Sequence, residues 1–173
     1  MRARLSPRLI MVLLACFGIG LAYRAILAPD VNKGERLVAM FIEHCAPFAR
    51  DRKTPDPTGL EHIADVPGQE LWADANSALS LEFDAESCLI SDVLQPLAAS
   101  DHYLMDVAVS RLIAQQFPEL TSEATPDHVN FDRYRLWTSH PEGNPDRWAI
   151  QFYRPGAVAG DRTTTLRVGF PPE

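Results

Sequence analysis

His102 and Asp106 stand four residues apart in a stretch with helical periodicity. Both therefore fall on one helix face, where they could act as two metal ligands or as an ion pair. A metal ion needs a third and a fourth ligand, and neither an HExxH pattern nor a clustered His/Cys spacing supplies them. The pair reads as a histidine near a helix start beside a carboxylate, and His62 with Asp65 reads the same way. Glu43-His44-Cys45 sets an imidazole next to a thiol. Adjacent helical residues point about 100° apart, so His44 is not placed to take the Cys45 proton as a Cys/His pair would. Ser139-His140 has no surrounding GxSxG elbow. Asp84 and Glu86 could pair as general acid and base, but on a tight turn they are more simply solvated turn residues. No catalytic residue, metal site or cofactor is expected from these patterns.

A different chemistry is available toward the C-terminus. Arg133, Tyr134, Arg135, Trp137, Tyr153 and Arg154 fall on expected strands, partly on faces opposite the apolar stripes. Aromatics with arginines are enriched where a protein grips a partner. The competing reading is that their long stems and rings cover the second face of a sheet.

The elements that must position these residues follow from periodicity. Asn32 and Glu35 have the form of a helix N-terminus, followed by Leu37, Val38, Phe41, Ile42 and Cys45 on one stripe. Pro47 is expected to end or kink that helix near Ala46 to Phe48. Residues 60–76 are ambiguous between a helical turn at Leu60 to Ala64 and a short extended piece at Glu70 to Ala73. Leu79, Leu81 and Phe83 alternate with polar residues, and Cys88 to Val93 returns as the second strand of a hairpin. Ser100 or Asp101 can cap a second helix that runs to Phe117. The polar loop TSEATPDH then leads into three strands, Val129 to Thr138, Arg147 to Arg154 and Thr163 to Phe170, with no internal repeat visible. The expected fold class is α+β, a single antiparallel sheet of about five strands with helices packed on one face. The helix-ββ-helix-βββ order resembles profilin-like and PAS-like architectures, an analogy that says little about function.

Three arginines, Arg2, Arg4 and Arg8, precede the apolar run from Leu9 to Tyr23. That run is shorter than the roughly 20 residues needed to span a bilayer. Residues 1–22 therefore read as a signal peptide cut after Ala22, and residues 30–173 as a single domain. Retention of residues 9–23 as an inner-membrane anchor, or lipidation at Cys16, are the alternatives. The chain carries a formal net charge of −7, with the acids concentrated between residues 51 and 127. Phosphate binding needs clustered Lys and Arg, so nucleic acid is not an expected partner. An envelope protein or a small ligand is, and a membrane enters only through an uncleaved N-terminus.

Export would leave Cys45 and Cys88 in an oxidising compartment, where two thiols are usually joined. Such a bond would clip the first helix to the sheet, and the absence of CxxC weakens a redox reading. The stretches FIEHC, ELWAD and AESCLI resemble a loose family of uncharacterised small exported two-cysteine proteobacterial proteins, over roughly residues 37–93. The resemblance implies export and the disulfide, and carries no activity with it. A non-enzymatic binding or accessory domain of the envelope is the expected function; a small-ligand sensor or a hydrolase with an unrecognised site are the alternatives.

Overall fold

The computed structural model describes residues 32–66, 69–124, 131–155 and 163–170. The expected signal peptide, with Cys16 and the Ala22 site, lies outside the described residues. Residues 32–173 form one compact unit. Helix α1, Lys33–Met40, starts where expected: the Asn32 side chain accepts from the Glu35 N–H at 3.0 Å, satisfying a donor that the first helical turn leaves free. The helix does not stop at Pro47. It passes through a π-helical turn, Phe41–Cys45, into α2, Ala46–Asp51. In that turn the Ala46 N–H reaches back to the Phe41 carbonyl, so Pro47 falls in the first turn of a new α segment. A proline there loses no bond it would otherwise make.

Eight strands follow rather than five. They are β1 (Glu61–Val66), β2 (Gln69–Asp74), β3 (Leu79–Phe83) and β4 (Ser87–Ser91), then, after helix α3 (Ala99–Gln116), β5 (Thr121–Glu123), β6 (Phe131–Thr138), β7 (Ala149–Pro155) and β8 (Thr165–Gly169). The sheet order is β1-β2-β3-β4-β8-β7-β6-β5, with every pairing antiparallel. The α+β class and the antiparallel sheet stand, while the five-strand count and the likeness to profilin-like and PAS-like sheets give way. The additional strands have physical reasons for being hard to see. On β1, an edge strand, Glu61, His62 and Ile63 are all exposed, so no buried face imposes an apolar alternation. At the other edge, β5 is three residues long and polar. Helix α3 is capped at Ala98, not at Ser100 or Asp101, and the Ala98 carbonyl accepts from the Asp101 N–H.

The chain order is thus a helix and a four-stranded meander, twice over. The two halves are nonetheless not copies related by one rotation. Asn32 donates to Asp101 at 3.0 Å, joining the two helix starts, while Arg50 lies over the Phe117 ring at the two helix ends. The helices therefore run in the same direction, whereas a two-fold axis relating β4 to its antiparallel partner β8 would reverse one of them. Gly34 permits the close approach at the helix starts: a Cβ there would stand 2.3 Å from the Asp101 carbonyl oxygen and 2.8 Å from Met105 Cβ.

The core lies between the helices and one sheet face. Leu37, Phe41 and Phe48 from the helical side meet Leu81, Ile90, Ile150, Phe152, Leu166 and Val168 from the strands, with Met105 and Val109 closing it from α3. Through this layer runs the Cys45–Cys88 disulfide, with Cα atoms 5.5 Å apart and both residues fully buried. Closing a loop of 43 residues stabilises the fold by about 4 kcal/mol in the chain-entropy account. A disulfide of this kind points to a location outside the reducing cytosol. No helix among the described residues is long and apolar enough to cross a membrane.

Candidate functional site

Helix α3 and strands β6 and β7 bring together two groups of residues that are far apart in sequence. His102, Asp106 and Ser110 recur every four residues along one side of α3. Arg133 and Arg135 on β6 and Arg154 on β7 share the helix-facing side of the sheet, because the register pairs Arg133 with Arg154 and Arg135 with Phe152. Asp106 Oδ2 lies 3.3 Å from Arg133 Nε and 3.8 Å from Arg154 Nη1, and Arg135 donates to Ser110 Oγ at 3.1 Å. Burial and the nearby Arg154 guanidinium lower the His102 pKa, outweighing Asp92, Asp106 and Asp101. Asp106 Oδ1 and, on the same side of the sheet, the Thr164 hydroxyl are buried without a hydrogen-bond partner. The arrangement is an ion-pair lock between α3 and the sheet, in which the one carboxylate is held by two guanidiniums. Among the described residues no His/Cys/Asp/Glu group could hold a metal ion.

The six residues considered as a partner surface are divided between the two faces of the sheet. Strand alternation sends Tyr134 and Tyr153, cross-strand partners, to the sheet face away from the helices, and Arg133, Arg135 and Arg154 to the helix side. Trp137 is 7% exposed and belongs to the core. The His44-Cys45 pair is likewise accounted for: Cys45 is bonded to Cys88. His44 Nδ1 lies 2.7 Å from the Asp56 carbonyl, a bond in which the imidazole donates and which fastens the linker after α2.

The sheet face away from the helices carries a cleft that sequence reasoning missed. It has a volume of about 380 Å³ and is lined by Leu136, Asn144, Arg147, Trp148, Gln151 and Arg167, among others. Its wall is the β6–β7 connection, which is pinned rather than loose. Ser139 N–H donates to the Trp148 carbonyl at 3.0 Å, and Trp148 N–H to Ser139 Oγ at 3.0 Å. Asn144 Oδ1 accepts from the Asp146 N–H at 2.8 Å, and Gly143 supplies a left-handed turn residue with φ of 86°. Arg147 spends Nη2 on both oxygens of Glu123 at 2.8 Å, while its Nε is buried and unpartnered. The Thr138 hydroxyl and Arg147 together hold the Glu123 carboxyl below its ordinary range, against a smaller upward push from burial.

Arg167 lies across Gly169, with Nε 3.7 Å from where a Cβ would stand. Its Nε is also buried without a partner, and among the described residues no carboxylate pairs with it. Glu82 occupies the same row of the sheet two strands away, paired through Leu89. Burial raises the Glu82 pKa, with only a weaker opposing bond from Ser80; no guanidinium stabilises that carboxylate. The one sequence signal for this site was Arg167 itself, the sole charge in TTTLRVGF, on the face opposite Leu166 and Val168.

Compared with known protein families, curated proteins and solved structures, the chain matches none.

Proposed function

We propose that the chain is an exported binding or accessory domain of the bacterial envelope, stapled by Cys45–Cys88, that takes its ligand on the sheet face away from the helices. The observation carrying this reading is the cleft beside the pinned β6–β7 connection, where Arg167 offers donors that no part of the described structure uses. Binding sites are concave, largely preformed, and provided with a few placed polar groups. The rival polar cluster around Asp106 has its carboxylate engaged by two arginines, which favours binding over hydrolysis. The sensor reading would place a ligand between the helices and the sheet, where Phe41, Leu81, Ile90, Ile150, Phe152 and Leu166 are fully buried.

Amide shifts of the isotopically labelled protein, purified after export and titrated with a small-molecule extract of the bacterial envelope, test the reading. Shifts confined to residues 143–151 and 167–170 support it. Shifts centred on His102 and Asp106, or chemical conversion of an extract component that His102→Gln abolishes, would replace it with the enzyme reading.

A further inference from the structure

The cleft's lining implies what it binds, given that it is a binding site at all. Arg147 and Arg167 both face it, each with a buried, unpartnered Nε. A guanidinium edge left without an acceptor at a dry position is costly unless something completes it. A second, adjoining cavity of about 260 Å³ shares two of the cleft's residues, Trp148 and Phe170, and adds Arg50 and Arg52. Arg52 lies over the Phe170 ring, and the Trp148 and Phe170 rings stand 5.8 Å apart with a 30° tilt. The Trp148 and Phe170 rings turn to the helix side, against Phe117 and Phe48, so the cleft's own guanidiniums are Arg147 and Arg167, on a chain whose net charge is −7. The only carboxylate lining either cavity, among the described residues, is Asp146. An acidic protein that gathers guanidiniums at one place, and leaves one of them unpaired, has an anion site rather than a solvated surface.

We infer that the cleft binds a small molecule carrying a carboxylate or phosphate group joined to a flat apolar moiety. The oxyanion is received by Arg167 and the free edge of Arg147, and the apolar part lies against Leu136 and Ala149, which line the same cleft on the same sheet face. The planar guanidinium fork matches either oxyanion, and Gln151 and Asn144 line the same cleft with amide groups that can hydrogen-bond it. Arg147 is the less free of the two because Glu123 holds it, so Arg167 sets the affinity.

The test uses the full-length chain, exported by its own N-terminus and purified oxidised, in calorimetric titrations with benzoate, phenyl phosphate, inorganic phosphate and benzyl alcohol. Benzoate or phenyl phosphate is expected to bind, and whichever binds more tightly distinguishes carboxylate from phosphate recognition. Inorganic phosphate should bind more weakly than phenyl phosphate, and benzyl alcohol weakest. Arg167→Gln should weaken the aromatic anion about ten- to a hundredfold, the range for one charge-assisted hydrogen-bonding group. If benzyl alcohol binds as well as benzoate and Arg167→Gln changes nothing, the anion inference fails while the cleft stands as a binding site. If none of the four binds at about 10 mM, and the envelope extract also leaves residues 143–151 unshifted, both fail.

Discussion

Replacing Gly34 by alanine sets two effects of opposite sign against each other. Helix propensity alone favours alanine by up to about 1 kcal/mol. At the second position of α1 the gain is smaller, since that residue's N–H has no intrahelical partner in either variant. Against it stands the contact with α3. The added methyl would sit 2.3 Å from a backbone carbonyl oxygen, that of Asp101, and 2.8 Å from Met105 Cβ. Ordinary carbon contacts begin near 3.5 Å, so the two helix starts must part by about 1 Å. Neither obstacle is the flexible end of a side chain, so the strain cannot be relieved by a rotamer change. Parting them also loosens the Asn32–Asp101 bond. Overpacking of this kind typically costs 1–3 kcal/mol, and the net expectation is a loss of about 1–2 kcal/mol. For a domain of this size that lowers Tm by roughly 3–7 °C. Urea denaturation of the oxidised protein, followed by far-ultraviolet circular dichroism, reads the change as a lower midpoint at unchanged slope. A midpoint equal to or above wild type would refute the close helix approach and with it the parallel arrangement of α1 and α3.

Three further outcomes follow from particular contacts. Joint replacement of Cys45 and Cys88 by alanine should remove up to about 4 kcal/mol, lowering the urea midpoint by about 2 M at a slope near 2 kcal/mol per M; a shift under 0.5 M would contradict a loop-closing staple. Asp106→Ala should cost about 2–3 kcal/mol, because it strands Arg154 against α3. That is less than for a fully buried pair, as Arg133 is half exposed, and a neutral result would show that the lock contributes nothing. Asp74 and Glu82 should respond oppositely to pH. Burial raises the Asp74 pKa, but bonds from Arg36, the Asn76 N–H and Ser77 outweigh it and hold the carboxyl low; its stabilisation is full above about pH 4, the unfolded value, and lost in stronger acid. The raised Glu82 pKa makes that residue's contribution most favourable below about pH 4.3 and lost as pH rises through the folded value. Hence Asp74→Asn should flatten the acid limb of a stability–pH curve, and Glu82→Gln should stabilise at pH 7. Any other pairing of signs would refute the bonds assigned to Asp74 or the burial assigned to Glu82.

What was legible in the sequence is what periodicity encodes. Leu79, Leu81 and Phe83, or Trp148, Ile150 and Phe152, announce a strand because a buried face filters every second residue. The edge strands β1 and β5 are not filtered in this way, and neither was foreseen. Pro47 announced a break in the helix but not its form. Its missing N–H forbids a continuous α-helix, but an earlier π turn restores the path at the cost of one extra residue, and no local rule announces that turn. The pairing of Cys45 with Cys88 was reachable because only two thiols remain once the N-terminal segment is set aside. The Asp106 cluster was half legible. His102 and Asp106 were visible as a helical pair and Arg133 and Arg154 as strand arginines, but their meeting depends on how α3 docks on β6 and β7. The cleft was least legible, since Arg147 and Arg167 are 20 residues apart and acquire meaning only when β7 pairs with β8.

Export and the staple support the rest of the account, and one measurement reaches both. The full-length gene is expressed in a Gram-negative host, the cells are fractionated, and the intact mass is taken after alkylation with and without prior reduction. The account predicts a species outside the cytoplasm, starting at Tyr23, whose Cys45 and Cys88 resist alkylation until reduced. A full-length or Cys16-acylated membrane species would keep the staple and move the protein to the membrane. Freely alkylated Cys45 and Cys88 in a folded, exported protein would contradict the account.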